Sequence, residues 1–128
     1  MNYLKSIDFE DEVRIALKDY MTIYCRPLPA TLALPSLEVR KVGGTDTETI
    51  DTAMVMLYAR AEEDATADEY LRKAVGILKA VCDQQTTKLR YCTVNTMGAW
   101  GTDPLRPDLA MCTATLMIRA HQTKEVIA

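Results

Sequence analysis

Apolar residues recur with two different periods along the chain. Between Ser6 and Met21, Phe9, Val13, Ala16, Leu17 and Tyr20 follow a 3.6-residue period, which predicts an amphipathic helix over residues 6–21. Asp8, Glu10, Asp11 and Glu12 crowd its first turns, where the helix dipole favours anions. Pro27, Pro29 and Pro35 then exclude regular helix, so an extended surface connection or sheet edge is expected there. Residues 37–42 alternate as a strand. Gly43-Gly44-Thr45-Asp46 carries turn chemistry, and a longer strand over residues 49–61 completes a first hairpin spanning 37–61.

Thr66-Ala67-Asp68-Glu69 has the form of a capping box and predicts a second helix over 66–83. Its apolar stripe is Tyr70, Leu71, Ala74, Val75, Leu78, Val81 and Cys82. Two further strands, 89–97 and 109–120, form a second hairpin within 88–120, joined by the loop that carries Trp100, Pro104 and Pro107. The C-terminal KEVIA is expected to fray. The element order is α-β-β-α-β-β. The expected fold is α+β, a single two-layer domain over 1–128 with two main helices on a mainly antiparallel sheet of about four strands.

Side chains alternate across a strand, so each sheet face can be read separately. One face carries Ala53, Val55, Leu57 and Ala59, with Cys92 and Val94, and Ala110, Cys112, Ala114, Leu116 and Ile118. These small apolar residues suit close approach of helices. The other face reads Thr52, Met54, Met56 and Tyr58, then Tyr91, Thr93, Asn95 and Met97, then Met111, Thr113, Thr115, Met117 and Arg119. Met and Tyr are enriched at protein interfaces. Two readings follow: the face meets another subunit, or the first helix or the proline-rich segment folds over it within one chain.

Composition narrows the function classes. The chain has 128 residues and a net charge of -3. Residues 1–64 hold 7 Lys and Arg against 12 Asp and Glu, a net -5, whereas residues 65–128 hold 8 against 6, a net +2. Such asymmetry lets unlike surfaces of two copies attract. No cluster of basic and aromatic residues points to nucleic-acid reading, and neither a signal peptide nor a membrane-spanning run is evident. The expectation is a soluble, intracellular protein without membrane contact.

Cys25, Cys82, Cys92 and Cys112 form no CxxC pair, so neither zinc nor a disulfide framework is expected, and the thiols read as free and buried. No GxSxG, GxxxxGK[ST], GxGxxG or HExxH motif occurs. Ser6 and Ser36 are the only serines and His121 the only histidine. Glu62, Glu63 and Asp64 have a sufficient role at a helix N-terminus, and Asp103 and Asp108 flank prolines as turn formers do. No catalytic, metal or cofactor residue is assigned, and the protein is not expected to be an enzyme.

The first helix, the Pro-rich stretch leading into LEVRKVGG, the apolar strand ending in Ala59-Arg60, the helix ADEYLRKAVGIL and the final GTDPLRPDLAMCTATLMIRA together resemble the tail terminator, or tail completion, proteins of long-tailed bacteriophages and prophages. The likeness spans residues 6–121. It implies a structural minor tail protein that assembles with itself into a ring, expected to be a hexamer. The ring caps the tail tube, ends tail polymerisation and offers a surface for head-tail joining. The implied partners are the tail tube protein and a head-tail connector protein, with DNA only as cargo through the lumen. The implied location is the virion tail, and the bacterial host cytoplasm during assembly. The family supplies no catalytic residues or cofactors.

From the residues themselves, Trp100, Asp103, Leu105 and Arg106 are expected to contact a neighbour, and Met54, Met56, Tyr58, Met111 and Met117 to form a packing face. Trp100 has two readings, a lid over the end of the sheet or an anchor in a neighbouring subunit. The alternatives in function are a small α+β ligand-binding or dimeric regulatory domain, and a head-closure connector protein.

Overall fold

The computed structural model describes residues 1–47 and 49–127. The chain runs β1 (Asn2–Lys5), α1 (Phe9–Leu17), β2 (Ile23–Tyr24), β3 (Ser36–Asp46), β4 (Ile50–Ala61), α2 (Asp64–Gln84), β5 (Leu89–Gly101), β6 (Ala110–His121) and β7 (Thr123–Val126). Five strands form one sheet in the order β2-β3-β4-β6-β5, and β1 pairs with β7 in a separate two-stranded ribbon. All pairings are antiparallel except the short β2–β3 contact. The α+β class, the two helices and the mostly antiparallel sheet match expectation, but "about four strands" and the order α-β-β-α-β-β do not, because the short strands β1, β2 and β7 are added. Of the tail expected to fray, residues 124–126 instead belong to β7, held by β1 and by a Tyr3 hydroxyl donating to Glu125 at 2.7 Å, while Ala128 lies outside the described residues.

Both helices pack on one face of the five-stranded sheet. Ala53, Val55, Leu57 and Ala59 of β4 and Cys112, Ala114, Leu116 and Ile118 of β6 are buried beneath Leu71, Ala74, Val75, Leu78 and Cys82 of α2. Phe9, Val13, Ala16 and Leu17 of α1 complete the core. Burying each large aliphatic side chain is worth about 1.5–3 kcal/mol. The small residues on β4 and β6 let α2 approach closely enough to collect that term.

Element ends depart from the sequence reading for identifiable reasons. The first helix is confined to Phe9–Leu17 because Asp8 is its N-cap, in extended conformation, accepting from the Asp11 amide. Tyr20, beyond its end, is exposed. The second helix starts two residues early, at Asp64, with Glu63 as an N-cap that makes no side-chain bond. Thr66 therefore lies inside the helix and no capping box forms. Gly43 to Asp46 are not a turn; they continue β3 past a bulge between Lys41 and Gly43. A Cβ on Gly44 would stand 2.5 Å from the Thr52 carbonyl oxygen, so glycine here permits close strand approach.

The largest departure is β5. It runs on through Gly98-Ala99-Trp100-Gly101, which the sequence assigned to a loop, and irregularities interrupt its register at three places. The shift between Val94 and Thr96 moves Thr96 onto the row of Thr115, and Met97 then pairs with Ala114 and Trp100 with Cys112. Directly paired residues share a face. Met97 thus stands on the helix side of the sheet, not beside Met54 and Met117 as strict alternation implied, and a further shift between Met97 and Ala99 leaves Trp100 on the helix side as well.

Candidate functional site: an uncovered sheet face with a charged end

Neither helix covers the second face. Its rows follow from the register. Met54 pairs with Met117, which pairs with Thr93; Met56 pairs with Thr115, Tyr58 with Thr113, and Arg60 with Met111. Met54, Met56, Tyr58, Met111 and Met117 are all half-buried. Of the two sequence readings, cover by the first helix is excluded: α1 sits with α2 on the opposite side. The proline-rich segment, in contrast, does reach this face, though only at its Arg60 end.

At that end a chain of charges crosses four segments. The Arg60 guanidinium donates to Glu38 Oε1 at 2.8 Å and to Asp103 Oδ2 at 3.2 Å. Arg40 donates to the other oxygen of Glu38. Arg106 lies 3.5 Å from Asp103 and donates to the Pro29 carbonyl at 3.0 Å, strapping the β5–β6 loop to the proline-rich segment. The Arg40 and Arg60 guanidiniums stand 5.2 and 5.8 Å from the Tyr58 ring centre, within cation–π range. Beside them, Arg26 pairs with Glu10 at 2.7 Å and the Lys41 amide donates to the same carboxylate. The charged side chains among these line an open cleft of about 780 Å³.

Burial makes this more than surface pairing. The Glu38 side chain is 1% exposed and that of Arg60 6%. Two ions so desolvated persist only when each is fully bonded, and no described buried side-chain nitrogen or oxygen lacks a partner. Burial pushes the Asp103 carboxyl up, but the Leu105 amide, Arg60 and Arg106 outweigh it and hold it below the usual carboxylate range. Glu10 follows the same pattern. Burial raises it, and Arg26 with the Lys41 amide outweighs burial.

The residues expected from sequence to meet a neighbour divide accordingly. Asp103 and Arg106 spend their charge within the chain, on Arg60 and Pro29. Leu105 is 85% exposed at the loop tip. Trp100 is 54% exposed on β5, the sheet's edge strand, so half its ring surface is open to solvent. Replacing Trp100 with Ala is expected to cost less than about 1 kcal/mol in urea unfolding, as an exposed edge position should. A loss above about 2 kcal/mol would make Trp100 a lid over the sheet.

Sequence reasoning missed Glu10, Arg26, Glu38, Arg40 and Arg60. The only available signal was Glu38-Val39-Arg40, which places opposite charges two apart on one face of a strand. The four cysteines are free thiols, Cys82 and Cys112 buried, Cys25 and Cys92 half-buried. Burial pushes all four up, Cys92 to about 11, which leaves them protonated at neutral pH and poor nucleophiles. Among the described residues no group of three His, Cys, Asp or Glu could hold a metal ion, and no helix is long and apolar enough to cross a membrane. No family model and no curated protein matches the chain.

Proposed function

We propose that the chain is a structural assembly subunit of the tail-terminator kind. It would associate with itself into a ring, expected to be a hexamer, that caps a phage or prophage tail tube and ends its polymerisation. The ring would offer a head-tail joining surface to a connector protein and let DNA pass through its lumen. The observation that carries this reading is the uncovered face of Met54, Met56, Tyr58, Met111 and Met117, on a sheet whose helices are all committed to the other side. A solvated antiparallel face ordinarily displays charged and small polar side chains. Methionine and tyrosine there fit a surface that is covered in use.

Two further features favour self-assembly over a lone monomer. Trp100, on the helix side of β5, and Leu105, at the adjoining loop tip, expose large apolar area outside the Met rows themselves. A ring contact is heterologous and joins two different patches of each subunit. The unequal charge of the two chain halves, -5 and +2, suits such head-to-tail pairing. The experiment is direct: the purified chain is added to tail tube protein from the same phage during tube growth. Tubes are expected to stop lengthening with the protein at one end; tubes that grow unchanged contradict the reading.

A further inference from the structure

The opposite end of the open face holds a second, smaller cavity of about 430 Å³, well away from the Glu38–Arg60 cluster. Thr45, Thr52, Arg119 and Tyr91 form one row across β3, β4, β6 and β5, and Ile50 pairs with His121 at the sheet end beyond it. Arg90 joins them because of a backbone irregularity. Leu89 pairs with Ala120 and Tyr91 with Arg119, so Arg90 is the extra residue of a bulge. Bulges re-aim side chains, and here Arg90 lines the cavity together with Arg119.

Arg90 donates through one nitrogen to the backbone carbonyls of Thr87 and Leu89, which fixes its place and leaves its remaining donors unspent. Arg119 has no ion-pair partner among the described residues. The nearest strand carboxylates face away. Asp46 and Asp51 share the row of Ala120, on the core side, and Asp51 is already bonded to Ser6, the Ile7 amide and Gln122. No described carboxylate lines the cavity. Two guanidiniums thus share one concavity with the Thr52 hydroxyl, and Ile50 and the Tyr91 ring supply apolar wall. Like charges held together with no counter-charge among the described residues favour an anion.

We propose that this cavity is a binding site for a phosphate monoester carried on a flat apolar group. A dianionic phosphate matches two guanidiniums, whereas a carboxylate leaves one uncompensated; guanidinium forks also fit phosphate oxygens two at a time. Tyr91, 66% exposed, presents a ring face against which a flat group stacks. The volume falls within the usual range for small-molecule sites. The site needs only one chain, but its Thr52–Arg119 row lies directly beside the Met54–Met117 row, so it is tested on the unassembled subunit.

Calorimetric titration of the full chain with phenyl phosphate, benzoate and inorganic phosphate tests it. Phenyl phosphate is expected to bind more tightly than either of the others. Arg119→Gln is expected to weaken phenyl phosphate about tenfold, the loss of one charge-assisted contact. Tyr91→Ala should weaken phenyl phosphate while leaving inorganic phosphate unchanged, and both positions are exposed enough for the variants to keep the parent's melting curve. Absence of saturable heat up to about 10 mM ligand, benzoate binding as tightly as phenyl phosphate, or unchanged affinity in folded Arg119→Gln would each overturn the proposal.

Discussion

Glu38→Ala is expected to destabilise the fold by about 3–5 kcal/mol, the cost of leaving one member of a buried ion pair uncompensated. Arg60, with only 6% of its side chain exposed, would keep Asp103 alone, and Asp103 already shares itself with Arg106. The loss spreads along the chain of bonds, since Arg60 and Arg106 together hold the β5–β6 loop against Pro29. Arg40→Ala is the contrast. Its side chain is 40% exposed and Glu38 keeps Arg60 when it is lost, so removing it should cost only about 1–2 kcal/mol, the penalty of one unbonded Glu38 oxygen. Urea unfolding of both variants measures the difference, and a Glu38→Ala cost below about 1 kcal/mol would show the pair to be dispensable.

Acid should loosen the same end of the molecule. Asp103 and Glu10 are held below the usual carboxylate range in the folded chain. Their stabilising contribution is therefore complete above the unfolded carboxylate values and fades as pH falls through the lowered folded ones.

Met56→Glu combined with Met117→Lys is expected to abolish assembly while leaving the subunit folded. The two new charges are opposite in sign and lie in neighbouring rows, so they do not repel within the subunit. Both are half-buried, with room to turn their charged ends toward water, and the cost to subunit stability should stay near 1 kcal/mol. At a packed interface the same charges are stripped of water, and that desolvation opposes association. An intact melting curve with only monomer in light scattering is the expected pair of results. Global unfolding would mean that the face is internal core, and unchanged assembly would move the interface elsewhere.

Much of the architecture was legible because it rests on periodicity. The 3.6-residue stripes of both helices and the small apolar residues of β4 and β6 mark which faces must pack, and the structure buries nearly all of them. What periodicity does not encode was missed. β1 and β7 are four-residue strands, mostly exposed, whose pairing joins residues more than 100 apart; nothing local announces it. Gly43-Gly44 carries the chemistry of a turn, but glycine also serves close strand approach, and sequence does not separate the two uses. Bulges in β5 break the alternation on which face assignment depends, which put Met97 on the wrong side and ended the strand too early. Glu38 and Arg60 look like ordinary charges on a polar strand face. Their burial comes from the proline-rich segment and the β5–β6 loop folding over them, a tertiary event.

The central claim is that the Met and Tyr face of β4 and β6 is covered by other copies of this chain in a closed ring. Negative-stain imaging of the purified protein with its tail tube, alongside light scattering, tests it most directly. Rings with a central hole, capping tube ends and built by contacts across that face, are the expected result. A monomer, or a compact dimer without a hole, that leaves the tube ends bare would contradict it.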